Sequence, residues 1–243
     1  MKCTRLQVPS RYVQNTAEVY MITPGEKAEK YLIFFHGAGE SVQTVMEHAN
    51  LVSLAEMRNT GIILPAVDNS FGLNQGEGRQ IHSFLTDELL PSLRNAVSVP
   101  LCVGGISMGA YIALSAGLER RDIVHRIVSI SGAFDLRQAA RFGRVCGLEI
   151  PSAVAEMESR PGERVCHLLK QCADGNKPAL FFACGDGDLF YDTNRMAADW
   201  ARELGYSVRW KETPGLHNWD YWREVLPPAL QWASMTGDVF YGD

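Results

Sequence analysis

The sequence has no C-x-x-C pair, no block of like charge, no long apolar run and no internal repeat. Each absence removes a class of function. Six cysteines (3, 102, 146, 166, 172 and 184) are scattered through 243 residues, whereas a structural zinc site needs ligands at short, fixed spacings. No metal site is expected, and the thiols are expected to be free in a reducing cytosol. Cys102 and Cys184 fall inside apolar runs, where cysteine behaves as a small buried hydrophobe. With 23 Lys+Arg against 28 Asp+Glu, the formal net charge is −5. No basic stripe is available for a nucleic-acid partner. The longest apolar stretches, such as residues 31–35, are far short of the roughly 20 residues that span a bilayer. The first fifteen residues contain no apolar core of a signal peptide, so a cytoplasmic location is expected. No G-x-x-x-x-G-K occurs, which argues against a phosphate loop.

What is present fits one large core. A 26.9 kDa chain should fold to an accessible surface of about 11,000 Å² and bury about 70% of its extended-chain surface. Hydrophobic residues make up 46% and charged ones 21%, so a disordered chain is excluded. Strand-like runs lie near 4–8, 17–22, 31–35, 61–64, 99–103, 126–130, 179–184 and 206–211. Helix-like stretches lie at about 42–58, 79–97, 108–120, 193–205 and 219–234. Runs such as YLIFF and ALFFAC are apolar throughout, as in strands covered on both faces. This alternation predicts an α/β fold: a mostly parallel sheet of about eight strands with helices on both faces and an antiparallel edge formed by the first two strands. Residues 1–243 read as one domain. The long interval between the sixth and seventh strands, rich in Gly and Pro, reads as an insertion at about 134–177 forming a small cap or helical bulge.

Gly105-Ile106-Ser107-Met108-Gly109 is a G-x-S-x-G. With 22 glycines in the chain, such a string arises by chance in roughly one chain in eight, so its context decides. It follows an apolar strand-like run and opens a helix-like segment, the setting that holds a serine on a strained elbow above a sheet. The helix start also offers free N–H groups to a developing oxyanion.

A serine needs a base in reach and an acid behind that base. On a fold of this kind the order is Ser, then Asp or Glu, then His. Of the histidines after Ser107, His125 precedes a strand and His167 lies in the insertion. His217 sits in a loop between the last strand and the last helix, which suits the base. Asp188 and Asp186 both follow the seventh strand, and Asp188 is favoured because the chain must first leave the sheet. Asp135 is a weaker candidate. Met108 N–H is one expected oxyanion donor and Ala38, in His36-Gly37-Ala38-Gly39-Glu40, the other, with Gly37 as its alternative. His36 reads as structural. Phe71, Phe134 and Phe190 each follow a strand and are expected to line a substrate pocket, with Trp219 added because it lies two residues from His217. Trp222 reads as buried against the sheet, and Arg137, Arg141 and Arg144 as a solvated helix face.

The chain resembles α/β-hydrolase esterases of the tributyrin-esterase type, in the wider group that includes esterase D. The residues carrying this are His36-Gly37, the Leu64-Pro65-Ala66-Val67-Asp68-Asn69-Ser70-Phe71 run, the Phe84-Leu85-Thr86-Asp87-Glu88-Leu89 run, the stretch 105–111, Gly185–Asp188 within 184–194, and the Gly-x-His-x-Trp-x-x-Trp of 215–222. The resemblance implies Ser107 as nucleophile, Asp188 as acid and His217 as base, with no cofactor. It implies a small-molecule ester substrate with a short acyl group; the oligomeric state, a homodimer included, is left open. Thioesters of the S-formylglutathione kind, and acetyl or feruloyl esters of sugars, are alternative substrates. A non-catalytic receptor is the alternative from another class. The family often has a bulky residue where this chain has Ala38 and a tyrosine where it has Gly72, and both changes are expected near the substrate.

Overall fold

The computed structural model describes residues 2–25, 28–97 and 99–235. Eight strands, β1 (Lys2–Pro9), β2 (Thr16–Thr23), β3 (Lys30–Phe35), β4 (Thr60–Pro65), β5 (Leu101–Ile106), β6 (Val124–Ile130), β7 (Ala179–Gly185) and β8 (Val208–Thr213), form one sheet. Their order is β1-β2-β4-β3-β5-β6-β7-β8. β1 pairs antiparallel with β2, and β2 with β4, while β4 through β8 run parallel. This is the mixed sheet expected from the alternation of runs, with the antiparallel strands at one edge.

Helices cover both faces: α1 (Val42–Ala49), α2 (Leu51–Met57), α3 (Ile81–Ser83), a π-helical segment (Phe84–Leu89), α4 (Leu90–Ala96), α5 (Met108–Glu119), α6 (Leu136–Val145), α7 (Ala153–Glu156), α8 (Glu163–Gln171), α9 (Tyr191–Glu203) and α10 (Trp219–Ser234). Because side chains alternate along a strand, each buried strand feeds two cores. Ile33 and Phe35 of β3, with Leu180 and Phe182 of β7, enter the core under α5, α8 and α9. Leu32, Phe34, Phe181 and Ala183 enter the core under α1, α2 and α10. That double burial is why these strands are apolar at nearly every position.

Two expected helices are divided. The 42–58 stretch breaks at Asn50, which adopts the left-handed conformation (φ 47°, ψ 38°) and ends α1; asparagine tolerates that conformation better than most residues. The 79–97 stretch holds a π-helical segment at its centre. The interval after β6 carries α6, α7 and α8, with α6 started by Asp135, whose Oδ1 accepts from the Gln138 N–H at 2.8 Å. A helix that joins parallel strands directly, as α9 joins β7 to β8, ends near the N-terminal ends of the strands. Cations sit on the last-turn carbonyls of α9 and α10, Lys177 Nζ on Leu204 O at 2.7 Å and Arg126 Nη1 on Trp232 O at 2.6 Å, complementing the helix dipoles. No helix among the described residues is long and apolar enough to cross a membrane.

Candidate active site

The loops that leave the C-terminal ends of β3, β5, β6, β7 and β8 converge on Ser107. This serine has φ 56° and ψ −117°, a backbone conformation that costs energy in any residue but glycine. It is held there from both sides: the Ser107 N–H donates to Ile130 O at 2.9 Å, and Ser107 O accepts from the Ala133 N–H at 3.1 Å. The flanking glycines explain the string. A Cβ on Gly109 would fall inside the carbonyl oxygen of Phe35, and one on Gly105 would strike the backbone of Gly109. The elbow therefore requires glycine two residues before and two after the serine.

His217 Nε2 lies 2.9 Å from Ser107 Oγ. Its Nδ1 lies 3.0 and 2.9 Å from the two oxygens of Asp188. The Asp188 side chain is fully buried and that of His217 is 9% exposed. A carboxylate facing Nδ1 makes that nitrogen the donor, which leaves Nε2 free to accept from the serine hydroxyl. Burial pushes the Asp188 carboxyl up. The hydrogen bond and charge of His217, the Phe190 N–H and the Ser131 hydroxyl outweigh that and hold it below the ordinary carboxylate range. The structure thus joins Ser107, His217 and Asp188, and puts the other candidates elsewhere. Asp186 Oδ1 accepts from the Gly215 N–H at 3.1 Å and shapes the histidine loop. Asp135 caps α6. His125 lies near the start of β6 at the opposite end of the sheet, and His167 is exposed on α8.

Among the described residues, no hydrogen bond engages the N–H of Met108 or Ala38. The Gly37 N–H donates to Glu40 Oε2 at 3.1 Å, so the alternative donor is already occupied. His36 is buried and structural: its Nδ1 donates to Gly37 O at 2.9 Å and its Nε2 accepts from the Val67 N–H at 3.4 Å. Burial lowers its pKa, which favours the neutral ring. The Gly39 N–H donates to Asn69 Oδ1 at 2.8 Å, fixing the far end of the loop.

Beside Ser107 opens a cavity of about 130 Å³. Phe71, Phe190 and Ala38 line it as the sequence suggests. Phe134 does not: it is wholly buried and packs edge-on against Phe182 at 6.2 Å, inside the core beneath the site. Trp219 does not line it either, because its indole stacks on His48 at 5.0 Å and points its N–H at Glu40. Trp222 takes that place, edge-on to the His217 ring at 5.0 Å. Gly72 is also off the wall, since a side chain there would meet Ile112. The insertion supplies Ala139, Phe142 and Gly143 from α6, then Leu148 and Ile150. These residues were not legible as pocket residues; Phe142 is 45% exposed on a helix whose pattern reads as surface. Arg137, Arg141 and Arg144 are exposed on the outer side of α6, as expected.

Behind the site, Asn194 ties two loops together. Its Nδ2 donates to Gly132 O at 2.7 Å and to Phe190 O at 2.8 Å, and its Oδ1 accepts from the Gly132 N–H at 2.9 Å. Among the described residues no group of three or more His, Cys, Asp or Glu side chains could hold a metal ion. All six cysteines are free, and burial pushes the Cys102 thiol up to about 11.

An eight-stranded, mostly parallel sheet carrying its serine on a strand-to-helix elbow is an α/β-hydrolase fold. The family model described as "Putative esterase" matches residues 7–233, and the chain belongs to that family of esterases. It is 24% identical over 270 residues to an acetyl esterase of Caldicellulosiruptor saccharolyticus, covering 98% of this chain and 100% of that one. Among solved structures it is similar to the substrate-bound fluorophosphonate-binding serine hydrolase F of Staphylococcus aureus. The TM-score there is 0.81 at 20% identity, covering 97% of this chain and 99% of that one. It is also similar to an S-formylglutathione hydrolase of Staphylococcus aureus, with a TM-score of 0.76 at 20% identity, covering 97% and 100%.

Proposed function

We propose that this esterase cleaves esters of short acyl groups through an acyl-enzyme on Ser107, with His217 as base and Asp188 as its orienting acid. The observation that carries the reading is the unbroken row from Ser107 Oγ to His217 Nε2 at 2.9 Å and from Nδ1 to Asp188 at 2.9 and 3.0 Å. Ser107 Oγ attacks the ester carbonyl as Nε2 takes its proton. Asp188 stabilises the imidazolium that forms. The carbonyl oxygen becomes an oxyanion, which the N–H groups of Met108 and Ala38 receive. His217 then gives its proton to the departing alcohol oxygen. In the second half, water loses a proton to the same nitrogen, attacks the acyl carbonyl and releases the acid and Ser107.

A cavity of about 130 Å³, closed by Phe71, Phe142 and Phe190, supports an acyl group of a few carbons. The acetyl esterase relative points the same way. The test is hydrolysis of p-nitrophenyl esters from acetate to laurate by the wild type and by Ser107→Ala. The expected result is hydrolysis that falls off beyond about butyrate and drops by several orders of magnitude in the variant. Faster cleavage of laurate than of acetate contradicts the short-acyl reading. A folded wild type inert toward oxyesters, thioesters and sugar esters alike would favour a receptor.

A further inference from the structure

The cavity wall carries one acidic side chain, Glu40. Its Oε2 accepts from the Gly37 N–H at 3.1 Å and its Oε1 from the Trp219 indole N–H at 2.6 Å. Neither partner can accept a proton, so both bonds favour the carboxylate, although burial outweighs them and raises the Glu40 pKa above the ordinary carboxylate value. Two oxygens offer about four lone-pair sites, and two remain for a ligand. Among the described residues no Lys or Arg pairs with it, and none lines the cavity. His48 and His217 are the neighbouring groups whose charge favours its ionised form, and a half-buried carboxylate with no fixed cation beside it raises the energy of an anionic substituent and lowers that of a cationic one.

Position assigns the part of the substrate it meets. A Cβ added at Gly37 would lie 3.1 Å from Glu40 Oε2 and 3.6 Å from Ser107 Cβ, so carboxylate and nucleophile flank one small volume. The bond to Trp219 places the carboxylate on the side of the histidine loop, two residues from the group that protonates the leaving alcohol. The rest of the lining, with Ala139, Phe142 and Ile150, is apolar and suits the acyl chain.

We propose that Glu40 is a specificity-determining residue for the alcohol part of the ester, selecting leaving groups that carry a positive charge and rejecting those that carry a negative one. This rests on the esterase reading given above. The test uses three acetate esters of similar size: acetylcholine, its uncharged carbon isostere 3,3-dimethylbutyl acetate, and 2-sulfoethyl acetate. At pH 7.5 the wild type is expected to prefer acetylcholine over the isostere by about tenfold in kcat/KM and to disfavour the sulfonate by a similar factor. In Glu40→Gln both ratios are expected to fall to within about twofold of one, whatever happens to the absolute rate. Should that variant not fold, inhibition of the wild type answers the same question. Choline is expected to compete with 3,3-dimethylbutyl acetate about tenfold more tightly than 3,3-dimethylbutanol does. Cleavage of the isostere with no charge preference, or a preference that survives in Glu40→Gln, overturns the role of Glu40 and leaves the esterase reading standing. No cleavage of any of the three by a wild type that hydrolyses p-nitrophenyl acetate overturns the role of Glu40 alone, and no cleavage of p-nitrophenyl acetate either contradicts the short-acyl oxyester reading as well.

Discussion

The indole N–H of Trp222 donates to Ser131 Oγ at 3.0 Å, joining the last helix to the loop after β6. Both residues also reach the His217–Asp188 pair: the ring of Trp222 stands edge-on to His217, and the Ser131 hydroxyl helps to lower the Asp188 pKa. Ser131 sits at φ 49°, so backbone strain is accepted to bring that hydroxyl there. Ser131→Ala is expected to lower kcat/KM about tenfold, which corresponds to about 1.4 kcal/mol, through the loss of a hydroxyl dipole that favours the Asp188 carboxylate. Steady-state kinetics on p-nitrophenyl acetate checks it; an unchanged rate assigns Ser131 to folding alone.

The two aspartates after β7 are expected to behave oppositely. Asp188→Asn should reduce kcat by roughly 10³–10⁴ by favouring the wrong imidazole tautomer. Asp186→Asn keeps an amide oxygen that can accept from the Gly215 N–H, removes only the charge, and should cost less than about tenfold. Comparable losses in the two variants contradict the assignment.

Acid stability offers a separate check on Asp188. Its pKa is depressed in the folded state, so its contribution is complete above the unfolded value of about 3.9 and is lost as pH falls through the lower folded value. The Tm difference between wild type and Asp188→Asn should be full at pH 6 and narrow below about pH 4. A gap that widens on acidification has the wrong sign for this account.

Two phenylalanines separate packing from pocket. Phe134→Ala empties a fully buried site and should cost about 3–5 kcal/mol of stability, with no change in acyl-length profile. Phe142→Ala opens the cavity wall from a half-exposed helix. It should shift the preference toward longer acyl chains at a cost below about 1 kcal/mol. Chemical denaturation and the ester series together read both effects.

Thiol reactivity follows burial. Cys3 and Cys146 are exposed, while Cys102 and Cys184 are buried and their thiols are pushed up in pKa. Iodoacetamide at pH 8 is expected to label the first pair and spare the second in the native protein, as peptide mass spectrometry would show.

All eight strands fall within a few residues of the pattern; the inner ones, such as β3, β4, β5 and β7, were legible because double burial writes itself as continuous apolar runs, whereas β1 and β8 at the edges are half-buried or exposed. Ser107, His217 and Asp188 were legible for another reason. A nucleophile elbow needs glycines at fixed offsets, and the fold places base and acid in fixed loops, so position along the chain carries the information. The pocket lacks that kind of constraint. Phe134 and Phe142 are equally aromatic, and which one faces the cavity depends on the turn at Ser131 and the setting of α6. Trp222 is buried as expected but also takes the place beside His217 expected of Trp219, because the side chain of Asn218, at the start of α10, caps the Tyr221 N–H, and that start fixes which indole faces His217. The break at Asn50 was hidden because one left-handed residue leaves the hydrophobic spacing on either side intact.

The central claim is that Ser107 carries the acyl group, and covalent labelling tests it most directly. The wild type is treated with one equivalent of a p-nitrophenyl alkylphosphonate, an irreversible mimic of the tetrahedral intermediate, then digested and mapped by mass spectrometry. The account predicts complete inactivation with a single phosphonyl group on Ser107, and no label on Ser107→Ala. Full labelling at another residue, or full esterase activity in protein labelled at Ser107, would contradict it.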